Sequence, residues 1–323
     1  MLGAGLAVML VVGCSGRSGS NNVQNASLEL TKLTVAAVPV GDDVGVYIAQ
    51  NKGYFRAAGL DVTIEPIVSS AVATAGQNSG KYDITAGNSV SYLQAQVGGK
   101  ADLEIVAEGS LMQPGNQALY TLPKSDITSV PDLKGKRIGV NAVGNISTLL
   151  ITALLKAHDM PSDSVTFVPI AVGFPGMAKA LQNHTIDVAW LPEPFGSLDQ
   201  ESFGLHKLVD LDQGEVENFP VAWYVATKAW AKRYPRTLAA FLGALQQGQQ
   251  VASNDRSAVE NAMENLPKPY EVTTMIASTM SVENYPLNVA PHVDLATVQQ
   301  VADVMYDLGM LINPFEVKSM LTP

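Results

Sequence analysis

The sequence predicts an α/β protein of two similar lobes facing each other across a cleft. Three observations carry that expectation. From Leu33 onward, short apolar strand-like runs alternate with amphipathic helix-like segments, as parallel strands with covering helices require. One unit occurs twice, as Q-N-S-G-K-Y-D-I-T-A-G-N at Gln77–Asn88 and as Q-N-H-T-I-D-V-A-W-L-P-E at Gln182–Glu193. Each copy is a helix end, a turn, an Asp, and a strand that breaks into a polar loop. Finally, 323 residues, 47% apolar and 15% charged, can bury a core large enough for two domains.

The chain opens on MLGAGLAVMLVV, an apolar run too short to span a bilayer and suited to the h-region of a signal peptide. Cys14, the only cysteine, follows it, so no internal disulfide is possible. Val11–Cys14 (V-V-G-C) resembles a bacterial lipobox, which implies cleavage before Cys14 and lipidation of its sulfur. Residues 1–14 are therefore read as a lipoprotein signal, and the Ser/Gly/Asn-rich residues 15–30 as a flexible tether.

In the first lobe, strand patterns at Leu33–Val38, Val62–Ile67, Ile84–Ala86 and Leu103–Ala107 alternate with helix patterns at Gly45–Ala58, Ser70–Gln77 and Ser89–Val97. After Gln117–Leu122 a second series begins. Its strands are Arg137–Val140, Val165–Pro169 and Val188–Trp190, and its helices Ser147–His158 and Gly176–Asn183. Beyond Lys228 the chain turns mainly helical, through Tyr234–Ser253, Ser257–Asn265, Val272–Ser278 and Leu295–Leu308.

A net charge of -10 and the lack of a basic stripe argue against a nucleic-acid partner. No G-x-S-x-G, H-E-x-x-H, phosphate-binding glycine loop or dinucleotide fingerprint is present. The four histidines lack metal-ligand spacing, and no thiol lies beyond Cys14. The expectation is a protein that is not an enzyme and has neither cofactor nor metal.

What remains are loops suited to a small molecule. In G-N-I-S-T (Gly144–Thr148), free N–H groups with Asn145, Ser147 and Thr148 can hold a polar group, or Ser147 can simply cap the helix. Asn88 and Ser89 open a helix in the same way. Asp42 and Asp43 precede the first helix, where acids cap and complement the dipole, and where two acids also attract an amine. Among the aromatics Phe174, Trp190, Phe195, Trp223 and Tyr224, core packing suits Phe195 and Tyr224, whereas Trp190 and Trp223 are placed to stack on a ligand. Pro192 and Pro194 fix the direction of Glu193, which is read as a polar clamp on the ligand, with a helix-start cap as the alternative.

Tyr47–Val62 (Y-I-A-Q-N-K-G-Y-F-R-A-A-G-L-D-V), Lys81–Ser89, Val130–Val140 (V-P-D-L-K-G-K-R-I-G-V) and Ile186–Phe195 together resemble a bacterial family. It comprises the solute-binding proteins of ABC importers for aliphatic sulfonates, taurine, nitrate and thiamine-pyrimidine precursors. The resemblance implies the two-lobed type II periplasmic-binding fold, with crossings near Tyr120–Pro123 and Trp223–Thr227 and a hinge-bending cleft. Lobe one would hold residues 31–119 plus 225–323, and lobe two residues 120–224. It further implies a monomer, lipid-anchored outside the cytoplasm, that passes a small solute to permease subunits. Its pocket would be lined by Asp42, Asp43, Asn88, Ser89, Asn145, Ser147, Thr148, Trp190 and Glu193, with Phe174 and Trp223 nearby. No Lys or Arg lies in these loops, which favours an amine-bearing or heterocyclic solute such as a thiamine pyrimidine precursor. The alternatives are a sulfonate, taurine or nitrate binder, and a pyrimidine-precursor-synthase-like enzyme on the same fold.

Overall fold

The computed structural model describes Met1 and residues 27–322. Cys14 and the lipobox lie outside the described residues, as does the tether up to residue 26. Residues 27–30, assigned above to that tether, are instead tied down. Glu29 accepts hydrogen bonds from the Arg236 and Thr237 amides, and Ser27 O accepts one from Arg236 Nε.

The first lobe contains β1 (Lys32–Ala37), α1 (Val44–Asn51), α2 (Tyr54–Ala57), β2 (Asp61–Pro66), α3 (Ser70–Asn78), β3 (Ile84–Asn88), α4 (Ser89–Val97) and β4 (Leu103–Leu111). The chain then crosses to a second sheet. There it forms β5 (Gln117–Thr121), β6 (Arg137–Val140), α5 (Ile146–Ala157), β7 (Thr166–Pro169), α6 (Met177–Gln182), β8 (Val188–Pro192), α7 (Phe195–Phe203) and β9 (His206–Asp210). It returns through β10 (Pro220–Thr227) and ends in α8 (Lys228–Arg233), α9 (Pro235–Asn254), α10 (Arg256–Glu264), α11 (Thr274–Thr279) and α12 (Leu295–Asp307).

Both sheets have five strands, in the orders β2-β1-β3-β10-β4 and β7-β6-β8-β5-β9. The two orders follow one plan. In each, three strands are parallel, and the fourth position holds an antiparallel strand that has just arrived from the other lobe. The repeated sequence unit has a shared job in this plan. Asp83 Oδ2 accepts the Thr34 amide at 2.8 Å, and Asp187 Oδ2 accepts the Arg137 amide at 2.8 Å. Each Asp thus pins the strand in the third position of its sheet to its neighbour in the second, β3 to β1 and β8 to β6.

Because β5 and β10 lie wholly within sheets, the crossings fall at residues 112–116 and 211–219, earlier than residues 120–123 and 223–227. Met112 N donates to Phe219 O at 2.9 Å and ties the two crossings together. The displacement has a physical cause. P-V-A-W-Y-V-A-T is apolar on both faces because it is a central strand, with Trp223 and Val225 in one core and Tyr224 and Ala226 in the other. The helix expected over Gly45–Ala58 is likewise interrupted, since Gly53 adopts φ 75° between α1 and α2.

The C-terminal helices cover the first lobe. Helix α9 lies along α1 so closely that a Cβ at Gly248 would collide with Gly45 O, and Phe241 stacks on Phe55 at 5.1 Å. Helix α12 packs on α4 and β10.

Candidate binding cleft

In open α/β sheets the carboxyl ends of the strands are where ligands sit. Here the ends of β1 and β3 face those of β6 and β8. Val38, Val40, Asp42, Asp43, Gly87 and Asn88 form one wall, and Asn141, Ile146, Phe174, Trp190 and Pro192 the other. The lobes touch through Gly41 N to Glu193 O at 3.1 Å and through Asn141 Nδ2 to Val68 O at 3.2 Å. The space between the walls is about 20 Å³ for a water-sized sphere, room for a single water. Small-molecule sites measure roughly 300–1,000 Å³, so this is a closed cleft. A larger groove of about 740 Å³ lies beside α8 and α9, on the first lobe and away from those strand ends, with a mainly Leu, Ala and Pro lining edged by Glu104, Lys228 and Lys232.

One wall is acidic. Asp42 and Asp43 form a 3-10 turn ahead of α1, and neither side chain caps that turn. Asp43 is fully buried; its Oδ2 accepts the Val38 amide at 3.1 Å, and its Oδ1 has no partner among the described residues. Asp42 Oδ1 is likewise buried without a partner. Burial pushes the Asp42 carboxyl up to about 7. It raises Asp43 well above the ordinary range too, with the neighbouring Asp42 charge adding to the effect. The other wall is aromatic. Phe174 stands 5.6 Å from Trp190 and stacks on Phe195 at 5.2 Å. The Trp190 indole N–H is buried and unpartnered among the described residues.

The other expected residues are placed differently. Asn88 lines the cleft while capping α4, with Oδ1 accepting the Ser91 amide and Nδ2 donating to Ser70 Oγ, each at 2.9 Å. Ser89 is fully buried and donates to Pro220 O at 2.7 Å, so it fastens α4 to β10. The cap of α5 is Asn145 rather than Ser147. Asn145 Oδ1 accepts both the amide and the hydroxyl of Ser147, at 3.1 and 2.5 Å. Thr148 Oγ1 accepts the Gly144 amide at 2.9 Å. None of Ser89, Asn145, Ser147 and Thr148 lines the closed cleft.

Glu193 follows its alternative role as a cap. Its Oε2 accepts the Ser197 amide at 3.1 Å and its Oε1 the Ser197 hydroxyl at 2.9 Å, so the carboxylate secures the first turn of α7. The side chain lies on a separate groove with Lys207 and Met275. Burial raises its pKa. Trp223 is buried in β10, away from the cleft lining, and its Nε1 has no partner among the described residues. Sequence reasoning missed Asn141, although it follows β6 just as Asn88 ends β3, and that shared position was the available signal. It also missed Glu283 and Tyr285, for which no local signal exists. The Tyr285 hydroxyl lies within hydrogen-bond reach of Gly41 O at 3.1 Å and of Glu283 Oε2 at 2.6 Å.

A family model described as NMT1/THI5 like matches residues 42–258, which takes in all of the cleft walls except Val38 and Val40. The chain belongs to the NMT1/THI5-like family. A curated relative, the 4-amino-5-hydroxymethyl-2-methylpyrimidine phosphate synthase of Uromyces fabae, is 29% identical over 216 residues. That alignment covers 63% of this chain and 61% of the relative, less than two thirds of its length. The alkanesulfonate-binding protein SsuA from Xanthomonas axonopodis pv. citri, bound to MOPS, superposes with a TM-score of 0.73 at 17% identity, over 92% of this chain and 99% of that one. The periplasmic nitrate-binding protein NrtA from Synechocystis PCC 6803 gives 0.72 at 14% identity, over 91% and 85%. These structures share the two-lobed type II periplasmic-binding fold expected from the sequence.

The synthase name corrects one expectation. Missing motifs argued against catalysis, yet a relative of this NMT1/THI5-like chain is named as an enzyme. A motif search tests only for the chemistries whose motifs are searched, and function on a shared fold resides in the individual site. The exclusion therefore does not stand.

Proposed function

We propose that the chain captures a small amine-bearing or heterocyclic solute by closure of its lobes and, as the extracytoplasmic component of an ABC importer, delivers it to a permease. One observation carries the ligand class. Unpartnered, buried carboxylate oxygens of Asp42 and Asp43 face an aromatic wall whose Trp190 N–H is also unpartnered among the described residues. A flat ring with an exocyclic amine satisfies both sides: N–H groups donate to the carboxyls, a ring nitrogen accepts from the indole, and the ring packs on Phe174 and Trp190. An anion such as a sulfonate would meet two acids and no cation. The Uromyces fabae relative is named for making an aminopyrimidine phosphate, and the aminopyrimidine ring, without its phosphate, suits this wall. Anchoring through a lipid on Cys14 belongs to the same proposal, and mass spectrometry of the membrane-extracted protein tests it.

Thermal-shift measurements on the chain from about Leu28 onward decide the ligand class. 4-Amino-5-hydroxymethyl-2-methylpyrimidine is expected to raise Tm, by about 2.7 kcal/mol of added stability at a hundred times its Kd, whereas taurine and nitrate leave it unchanged. A shift with taurine or nitrate alone would refute the proposal. The synthase name supports a second role for the same cleft, chemical conversion of a pyrimidine precursor. Chromatography of the incubated probe for new products separates capture from conversion.

A further inference from the structure

Behind the acidic wall lies a set of polar side chains that the cleft alone does not explain. The segment holding Glu283 runs beside the end of β4, with Leu111 N donating to Asn284 O at 2.8 Å and Asn284 N to Leu111 O at 3.1 Å. Glu283 is carried against the loop of Gly41, where its two carboxylate oxygens lie 2.7 Å from the site of a Gly41 Cβ. A Cβ at that position would push the Glu283 carboxylate aside. Ser110 near the end of β4, Asn116 in the first crossing and Gln117 at the start of β5 are each 1% exposed. Ser110 Oγ, both polar atoms of the Gln117 amide and Glu283 Oε1 have no partner among the described residues, and neither has Asp42 Oδ1. Ser110 and Gln117 lie near enough to Asp42 to favour its charged form, though without hydrogen-bond geometry, and the Asp42 charge acts on Glu283.

Buried polar atoms are nearly always paired, so such a concentration of orphans calls for an occupant. Two carboxyls buried together without a cation do not both ionise. The other titratable groups facing the pair are Asp43, Glu193 and Tyr285, and none is a cation. Among the described residues no group of three His, Cys, Asp or Glu is disposed to hold a metal. A protonated ligand nitrogen placed there would donate to the oxygens of Asp42, Glu283, Ser110 and Gln117 that have no partner among the described residues.

Resting on the cleft as the ligand site, we propose that Asp42 and Glu283, with Ser110 and Gln117, form a proton-for-cation exchange subsite. Without ligand the two carboxyls share one proton. A ligand ammonium entering past Asp42 forms N–H···O bonds to the pair, the carboxylic O–H bond breaks, and that proton leaves to solvent. Glu283 lies beyond residues 42–258, the span matched by the family model, so this subsite is assembled in part outside the matched region.

Calorimetry at pH 7 with a matched pair of probes, 4-(aminomethyl)pyrimidine and 4-(hydroxymethyl)pyrimidine, tests the proposal. Repeating each titration in phosphate and in Tris, whose ionisation enthalpies differ, counts the protons released. The ammonium probe is expected to bind at least tenfold tighter than the alcohol and to release close to one proton, while the alcohol releases none. In Glu283→Gln the ammonium probe still binds but releases clearly fewer protons than the wild type, and Asp42→Asn loses the tenfold preference. Circular dichroism melts establish that both variants are folded. Equal affinity for the two probes, or proton release unchanged in Glu283→Gln, overturns the subsite while leaving the cleft as the binding site. If neither probe binds while both variants are folded, the heterocycle reading of the cleft fails, and the subsite fails with it.

Discussion

Replacing Asp42 by Asn tests the acidic wall through stability, without any ligand. Asp42 titrates near 7 in the folded protein because burial disfavours its charge, against an ordinary 3.8. The folded state therefore holds the proton more tightly than the unfolded chain. Stability from this group is fully present below pH 3.8 and falls as the pH rises through the window up to about 7. Each pKa unit corresponds to about 1.4 kcal/mol, so the loss is on the order of 2–4 kcal/mol, the lower figure applying if Glu283 carries part of the effect. An Asn has the shape of the neutral acid and never ionises, and its NH₂ can donate to Gln117 Oε1. Urea denaturation at pH 4.5 and pH 8 is the assay. The variant is expected to match the wild type at the lower pH and to exceed it by on the order of 2–4 kcal/mol at the higher one. A stability difference that stays constant between the two pH values would show that Asp42 is not held neutral by burial.

Three further perturbations probe the cleft and its frame. Trp190→Ala removes the aromatic wall and its N–H, and calorimetry is expected to show at least a tenfold weaker Kd for the aminopyrimidine probe. Glu193→Gln, which keeps a cap for α7, is expected to leave that Kd within about twofold, since the carboxylate is held by Ser197 and does not line the cleft; a Glu193 clamp would cost far more. Gly248→Ala forces a Cβ into Gly45 O and is expected to lower stability by about 1–3 kcal/mol in urea melts, without changing affinity once folded.

Local chemistry made much of this protein legible in its sequence. Strand and helix periodicities, the repeated Asp-strand-loop unit and the prolines around Glu193 depend on residues a few positions apart, and each lies close to where the sequence puts it. The same signals marked Asp42, Asp43, Asn88, Phe174 and Trp190, all of which the fold brings to one cleft. Tertiary structure decided the rest. The antiparallel strand β10 pairs Trp223 with Gly87 on one side and Glu108 on the other, and a run that is apolar on both faces does not announce its partners. The ranking of roles at Glu193 turned on which of two nearby demands, the α7 amides or the cleft, its carboxylate meets. The acidic wall reaches its full extent only when Glu283 and Tyr285 come to the Gly41 loop, Tyr285 from 244 residues along the chain. Periodicity and capping are set by neighbours in sequence, whereas burial and charge coupling are set by neighbours in space, and only the folded chain determines those.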